Sequence, residues 1–219
     1  MMPSSQGLFP ENSSSEERVV LAEGAVLLRG FASADAPALM QAVKEISAAA
    51  PFRHLITPGG HRMSVAMTNC GEAGWVSDRS VYRYDARDPE MGKPWPPLPD
   101  VFLSLAMRAT AAAGFAGFTP DVCLINRYEP GTRLSLHQDR DEHDYCQPIV
   151  SVSLGSPAVF LFVGAERSER PRRILVEHGD VAVWGGPARL FYHGVAPLKP
   201  GLDPLLGSSR INLTFRKAL

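Results

Sequence analysis

Two histidines and one aspartate are the residues of this sequence that are best placed to hold a metal ion. His137-Gln138-Asp139 sets an imidazole and a carboxylate two positions apart, and side chains at i and i+2 of an extended segment point to the same side. His193 lies at the end of another predicted strand. Two histidines and one carboxylate make up the facial triad of non-haem Fe(II) oxygenases, which leaves coordination positions open for substrate and oxygen. Zinc prefers four-coordinate sites and would use this set differently.

The His137-Gln138-Asp139 tripeptide is a weak signal when it stands alone, because such a sequence is more often a surface loop or a hydrogen-bonded pair. The remaining histidines, which have no comparable partners, are His54, His61, His143 and His178. His178 is predicted to lie in a hairpin turn. The case for a metal centre therefore depends on what the neighbouring segments supply.

The C-terminal segment 209–216 alternates strictly between polar and apolar side chains. As a strand it turns a polar set to one face and an apolar set to the other, namely Arg210, Asn212, Thr214 and Arg216 against Ile211, Leu213 and Phe215. Arginine binds carboxylates in a bidentate manner, so the polar face suits a dicarboxylate. Asn126 and Tyr128 share a face of an earlier predicted strand and add an amide and a phenol. The alternative is a half-exposed strand with a solvated polar face.

The elements around these residues predict an α+β, mainly β protein. One short strand is predicted at 25–28, and helices are predicted at 35–49, before Pro51, and at 101–113, before Gly114. From residue 121 onward short strands alternate with turn signals, at 122–128, 134–138, 149–154, 158–163, 174–177, 181–184, 189–193 and 211–216. About eight short strands behind two helices favour a two-sheet jelly roll.

Residues 51–99 are predicted to be irregular, because Pro and Gly clusters interrupt them. Basic side chains and the aromatic residues Trp75, Tyr82, Tyr84 and Trp95 alternate along this stretch. A long segment of this kind within a compact chain is more often a functional cover than a connector. A decorated surface hairpin is the alternative.

The bulk composition limits the possible classes of protein. With 22 basic and 23 acidic residues the formal net charge is -1, so contact with nucleic acid would need a local basic patch. Three dispersed cysteines cannot form a disulfide framework, which favours a reducing compartment. No stretch resembles a signal peptide or a membrane span. We expect a cytoplasmic monomer with a disordered extension at 1–17 and a single domain at 18–219.

Four long segments resemble the bacterial AlkB alkylation-repair dioxygenases. They are TPGGHRMSVAMTNCGEAGW at 57–75, CLINRYEPGTRLSLHQDRDE at 123–142, EHGDVAVWGGPARLFYHG at 177–194 and RINLTFR at 210–216. The resemblance implies a double-stranded β-helix with a nucleotide-recognition lid at about 51–95. It also implies Fe(II), with 2-oxoglutarate and O2 as co-substrates, and oxidative removal of alkyl groups from bases of the 1-methyladenine and 3-methylcytosine type. The products would then be succinate, CO2 and formaldehyde, and the partners would be alkylated single- or double-stranded DNA, with RNA as a further candidate.

The resemblance also implies a role for each site residue. His137, Asp139 and His193 would ligate iron. Arg210, with Tyr128 and Asn212, would hold the distal carboxylate of 2-oxoglutarate, and Arg216 with Asn126 would hold the metal-proximal end. Trp75 would stack on the damaged base, and Asp141 would meet its exocyclic amine. The remaining residues implied to bind the substrate are Met67, Tyr82, Arg83, Tyr84, Arg133 and Arg167. The segment 143–147 departs from the family, as does Arg133, where the best-known member has lysine.

Two other functions remain open from the residues alone. One is a 2-oxoglutarate oxygenase that acts on a protein or a small molecule, which the aromatic and basic segment argues against by composition. The other is a non-catalytic jelly-roll module in which the two histidines and the aspartate hold a structural ion. A structural ion needs no dicarboxylate clamp, so the arginine face of 210–216 discriminates against this second alternative.

Overall fold

The computed structural model describes residues 17–201, 203–204 and 206–219. Residues 1–16 of the extension predicted at 1–17 lie outside the described residues. The helices are α1 (Ala36–Ala49) and α2 (Asp100–Ala113). The strands are β1 (Arg18–Ala22), β2 (Ala25–Leu28), β3 (Ala66–Gly71), β4 (Gly74–Ser77), β5 (Tyr82–Asp85), β6 (Val122–Tyr128), β7 (Leu134–His137), β8 (Ile149–Gly155), β9 (Ala158–Phe162), β10 (Arg172–Val176), β11 (Val181–Trp184), β12 (His193–Val195) and β13 (Arg210–Arg216).

Two antiparallel sheets form the body of the protein, as the jelly-roll prediction requires. The larger sheet has the order β1-β2-β11-β8-β13-β6-β3, and the smaller has the order β10-β9-β12-β7. Both sheets contribute to one apolar cluster, in which Leu27 and Trp184 of the larger sheet meet Phe160 and Phe162 of the smaller. The prediction of a two-sheet jelly roll is confirmed.

The alternation of side chains along each strand divides the core into two layers, because successive side chains point to opposite faces of a sheet. In β2, Val26 and Leu28 belong to a cluster with the helices, whereas Ala25 and Leu27 belong to the cluster between the sheets. Both helices therefore cover the outer face of the larger sheet. Its inner face and the smaller sheet enclose the space where the polar faces meet.

The helix predictions are confirmed to within one residue, since Pro51 and the left-handed Gly114 (φ 95°) end α1 and α2 where expected. Within the described chain, neither helix has the length and hydropathy needed to span a bilayer.

The predicted strand at 189–193 is wrong. Gly186–Ala188 form a 3-10 turn, which continues into a further turn, and β12 begins only at His193. Pro187 fixes φ and lacks the N–H that a ladder needs, and Gly186 has φ 52°. These two residues redirect the chain before the strand begins.

The predicted irregularity of 51–99 is also partly wrong, because this stretch contains β3, β4 and β5. β3 is a sheet edge that pairs with β6 from Ala66 opposite Arg127 to Gly71 opposite Val122. Its Ala-Met-Thr-Asn-Cys-Gly sequence has little local strand preference. Pairing with a distant strand therefore determines its structure, and the sequence pattern did not reveal it.

Candidate metal centre

The polar faces predicted on separate strands meet in one cavity of about 870 Å³ between the two sheets. Side chains from β6, β7, β12 and β13 line it together with the segment that follows β7. The face of β13 that carries Arg210, Asn212, Thr214 and Arg216 is directed into this cavity, whereas Ile211, Leu213 and Phe215 pack under the helices. The strand is buried along its whole length. The predicted assignment of the two faces is confirmed, and the half-exposed alternative is excluded.

His137, Asp139 and His193 form a compact cluster at one side of this cavity. Their candidate ligand atoms all lie within 4.8 Å of one another. His137 ends β7 and is paired directly with His193, the first residue of β12, so the sheet register brings the two imidazoles together. Asp139 follows two residues after His137, and its carboxylate oxygens lie 3.6 Å from Nε2 of His137 and 3.7 Å from Nε2 of His193.

The hydrogen bonds of both imidazoles leave the same ring nitrogen free. Nδ1 of His137 lies 2.9 Å from the carbonyl oxygen of Ser135, and Nδ1 of His193 lies 3.0 Å from that of Phe191. A carbonyl oxygen only accepts, so each Nδ1 is the donor and each Nε2 is the nitrogen left to bind a metal. Histidines that ligate metals are oriented in this way, with the second ring nitrogen donating to a carbonyl or a carboxylate.

The charge states of the cluster suit a cation. Burial opposes the ionisation of Asp139, but the positive charge of Arg216, followed by the two imidazoles, outweighs it and holds the pKa of this carboxyl below its usual range. Burial, reinforced by the neighbouring His137, lowers the pKa of His193 to about 4. At neutral pH the site therefore offers a carboxylate and an uncharged imidazole, the forms in which these groups bind metals.

Arg210 is a buried cation that has no carboxylate partner among the described residues. Its guanidinium lies 4.9 Å from the ring centroid of Tyr128, and Nη2 donates to Oγ of Ser153 at 3.0 Å. Its Nε and Nη1 atoms are buried without a hydrogen-bond partner. Burial lowers the pKa of Arg210, and the neighbouring Tyr128 offsets part of this decrease. Buried polar groups are nearly always satisfied, so these two donors indicate an anionic ligand.

Arg216 and Asn126 present further unsatisfied atoms to the same cavity. Nη2 of Arg216 donates to Asp139 at 2.9 Å, but its Nη1 has no partner, and neither has Oδ1 of Asn126. Nδ2 of Asn212 is held by Oγ of Ser151 at 2.8 Å. The unsatisfied guanidinium atoms of Arg210 and Arg216 are the donors that a dicarboxylate requires, and the cluster beside them has the composition of a non-haem iron site. The residues therefore fit both groups.

The mouth of the cavity carries most of the residues predicted to bind a base. Trp75 stacks on Tyr82 with ring centroids 5.4 Å apart and planes inclined by 14°. Nε1 of Trp75 donates to Oδ2 of Asp141 at 2.7 Å. These three residues line the cavity together with Met67 and Arg133.

Three other predicted substrate residues lie outside the lining of this cavity. Arg83 pairs with Asp78 at 2.6 Å and lines a smaller cavity behind β4 and β5. The hydroxyl of Tyr84 donates to Glu142 at 2.6 Å. Arg167 is exposed in the segment between β9 and β10. A substrate role for these three residues stays a prediction.

Four of the described residues that support the site were not singled out in the sequence. Ser153 supports Arg210, and the serines of β8, at positions 151 and 153, could have been found because they alternate within an otherwise apolar strand. Glu142 and Arg189 form a buried ion pair at 3.1 Å behind Asp139. Neither belongs to a periodic pattern, so no sequence signal would have revealed this pair.

Comparison with known proteins identifies the family. The profile of the 2OG-Fe(II) oxygenase superfamily matches residues 24–216. A Salmonella typhimurium protein named alpha-ketoglutarate-dependent dioxygenase AlkB is 58% identical over 211 residues, which are 96% of this chain and 97% of that protein. The chain belongs to the AlkB family. Fe(II), 2-oxoglutarate and O2 are the cofactor and co-substrates of this oxygenase superfamily, and the prediction of a dioxygenase is confirmed.

Two further comparisons concern less similar proteins. The structure of OsALKBH1 is 29% identical with a TM-score of 0.81, and the match covers 92% of this chain and all of that one. A mouse protein named nucleic acid dioxygenase ALKBH1 is 32% identical over 129 residues, which are 59% of this chain and 33% of the mouse protein. The fold is therefore shared with a protein of which less than a third of the residues are identical.

Proposed function

We propose that this chain oxidatively dealkylates N-alkylated bases of the 1-methyladenine and 3-methylcytosine type in DNA, with RNA as a second candidate substrate. The observation that carries the proposal is the aromatic pair Trp75–Tyr82, with the carboxylate of Asp141 bonded to the indole, at the mouth of the cavity that holds the histidine–aspartate cluster. The name of the mouse relative, a nucleic acid dioxygenase, supports the same substrate class. Neither a protein nor a small-molecule substrate is favoured by these observations.

The side chains at the mouth suit a flat cationic base. A base methylated at N1 of adenine or N3 of cytosine carries a positive charge and cannot pair normally, so its extrusion from the stack costs less than that of an intact base. An aromatic face attracts such a cation by about 0.5–2 kcal/mol, and Asp141 adds electrostatic attraction. Arg133, exposed at the rim, can hold a flanking phosphate, as can the neighbouring lid arginines, in a protein of net charge -1.

The deeper residues would hold the cofactor and the co-substrate. His137, Asp139 and His193 would ligate Fe(II). Arg210 would bind the distal carboxylate of 2-oxoglutarate with Tyr128 and Asn212, and Arg216 with Asn126 would hold the other end. When bound, iron and 2-oxoglutarate supply the activation of O2 and the oxidation of the N-alkyl carbon. The chain supplies orientation. It fixes both imidazoles through hydrogen bonds at Nδ1, and it places the residues proposed to bind the base in the same cavity as the histidine–aspartate cluster.

The proposal is tested by incubating the Fe(II)-loaded protein with 2-oxoglutarate and oligonucleotides that carry single methylated bases. We expect formaldehyde and the unmethylated base, measured by mass spectrometry across single- and double-stranded DNA and RNA. We propose both single-stranded and double-stranded DNA as substrates, and the same panel determines which of the two is preferred. Consumption of 2-oxoglutarate without repair of any oligonucleotide would contradict the proposed substrate and leave the oxygenase assignment intact.

Trp75→Ala separates base binding from co-substrate chemistry. Trp75 contacts Asp141 and Tyr82 at the mouth of the cavity, whereas Arg210 and Arg216 are the residues proposed to bind 2-oxoglutarate. We therefore expect repair of a methylated oligonucleotide to fall about tenfold, consistent with a stacking energy of about 1–3 kcal/mol per base. Consumption of 2-oxoglutarate in the absence of oligonucleotide should stay within about twofold of the unsubstituted protein, since the clamp is unchanged. Equal losses of both activities would show that Trp75 does not act on the base.

A further inference from the structure

Glu142 is a buried carboxylate behind the metal cluster that none of the roles above uses. It is 5% exposed, and both of its oxygens are engaged. Oε1 accepts the hydroxyl of Tyr84 at 2.6 Å and lies 3.2 Å from Nε of Arg216, while Oε2 accepts Nη2 of Arg189 at 3.1 Å. Glu142 therefore joins the lid strand β5, the C-terminal strand β13 and the segment before β12.

Arg216 is held by two carboxylates along a single edge. Its Nε and Nη2 atoms lie 3.2 and 2.9 Å from Oδ2 of Asp139, and Nε also faces Glu142. Only Nη1 is buried without a partner. Because a guanidinium is planar and rigid, fixing the edge that contains Nε and Nη2 fixes the direction of Nη1. Glu142, together with Asp139, thus sets the direction in which the free donor of Arg216 points.

The charges of this group balance only when all four members are present. Asp139, Arg216, Glu142 and Arg189 are each less than 9% exposed, and acidic and basic groups alternate along their contacts. Arg189 also donates to the backbone carbonyl of Asp139 at 3.0 Å. Breaking one buried pair leaves an uncompensated charge, so such groups hold their partners in fixed geometry.

We propose that Glu142 is a positioning residue that orients Arg216 towards the co-substrate and is itself held in place by Tyr84. This inference rests on the proposed assignment of Arg216 to the metal-proximal end of 2-oxoglutarate. It gives Tyr84 a role in the binding of the co-substrate, transmitted through Glu142, which differs from the direct contact with nucleic acid that the resemblance implied.

The test is a double-mutant cycle on the binding of 2-oxoglutarate, with Glu142→Gln, Tyr84→Phe and both together. Mn(II) replaces Fe(II), and 2-oxoglutarate is titrated without oxygen by calorimetry. We expect Glu142→Gln to weaken binding about tenfold, as loss of a supporting partner does, and Tyr84→Phe about threefold, as loss of one hydrogen bond does. The double variant should bind no worse than Glu142→Gln alone, because Tyr84 acts through Glu142.

The affinity of each variant for Mn(II) alone is measured first, and 2-oxoglutarate is titrated at saturating Mn(II), because Glu142 contacts Arg216 and Arg189, which both bond to Asp139. Glu45→Gln, an exposed residue of α1, is the matched control and should match the unsubstituted protein in every measurement. Circular dichroism verifies that each variant folds.

Three outcomes would overturn the inference. Tighter binding in Glu142→Gln would mean that the carboxylate acts only as a negative charge near the dianion, and unchanged binding would mean that it does not orient Arg216. Additive losses in the double variant would remove Tyr84 from the proposal. If Glu142→Gln does not fold, Tyr84→Phe decides, because unchanged affinity there contradicts the role of the pair. The titration contains no nucleic acid, so its result is independent of the proposed dealkylation.

Discussion

Replacement of His137 by alanine is expected to abolish turnover while the fold persists. The imidazole supplies one of the three ligand atoms that lie within 4.8 Å, and its side chain is 34% exposed, so little packing is lost. Substitutions that only support a ligand cost about 10–100-fold in metal affinity or activity, and loss of the ligand itself should exceed about 100-fold. Succinate formation and binding of Mn(II) measure the effect, and circular dichroism measures the fold.

The control for this prediction is His143→Ala, because His143 is an exposed histidine in the segment that follows Asp139. It should retain turnover and metal affinity within about twofold, as surface substitutions usually do. Turnover in His137→Ala at the level of the control would show that the histidine–aspartate cluster is not the metal centre.

Arg210→Met is expected to produce two effects of opposite sign. The Kd for 2-oxoglutarate should rise about a hundredfold, because removal of a buried partner from a charged pair costs about 2–5 kcal/mol. In the absence of 2-oxoglutarate the variant should be more stable, by about 1 kcal/mol or more, because a buried charge without a carboxylate partner is replaced by an apolar side chain of similar length. Calorimetry measures the first effect and urea denaturation the second.

Arg210→Lys is the matched control, since it keeps the positive charge and loses the planar fork. It should bind 2-oxoglutarate more weakly than the unsubstituted protein and more tightly than Arg210→Met. At saturating 2-oxoglutarate the unsubstituted protein should have a larger free energy of unfolding than Arg210→Met, because a ligand stabilises the state that binds it. Lower stability of Arg210→Met without ligand would mean that Arg210 is satisfied in the free protein.

Several elements were predictable because their signals are local. Pro51 and Gly114 mark where the two helices end, and the strict alternation of 210–216 assigns each side chain to a face. This assignment is correct although the whole strand is buried, because the alternation of side chains is fixed by the geometry of the backbone and does not depend on neighbouring strands.

Other elements depended on long-range pairing. β3 forms only because β6 offers it a complete register, which the residues of the segment do not express, and this is why the prediction of an irregular 51–99 was partly wrong. The strand predicted at 189–193 was wrong for a local reason, because Gly186 and Pro187 redirect the chain and β12 begins only at His193.

The sequence by itself determined the chemical types at the site: a histidine and an aspartate two residues apart, a distant histidine, and a strand face with two arginines. Only the tertiary structure decided how they meet, because the pairing of β7 with β12 sets the distance between His137 and His193. It also decided that Arg216 faces Asp139 and Glu142 and leaves one donor free. Contacts between residues far apart in the chain arise from the packing of the two sheets, and no local pattern encodes them.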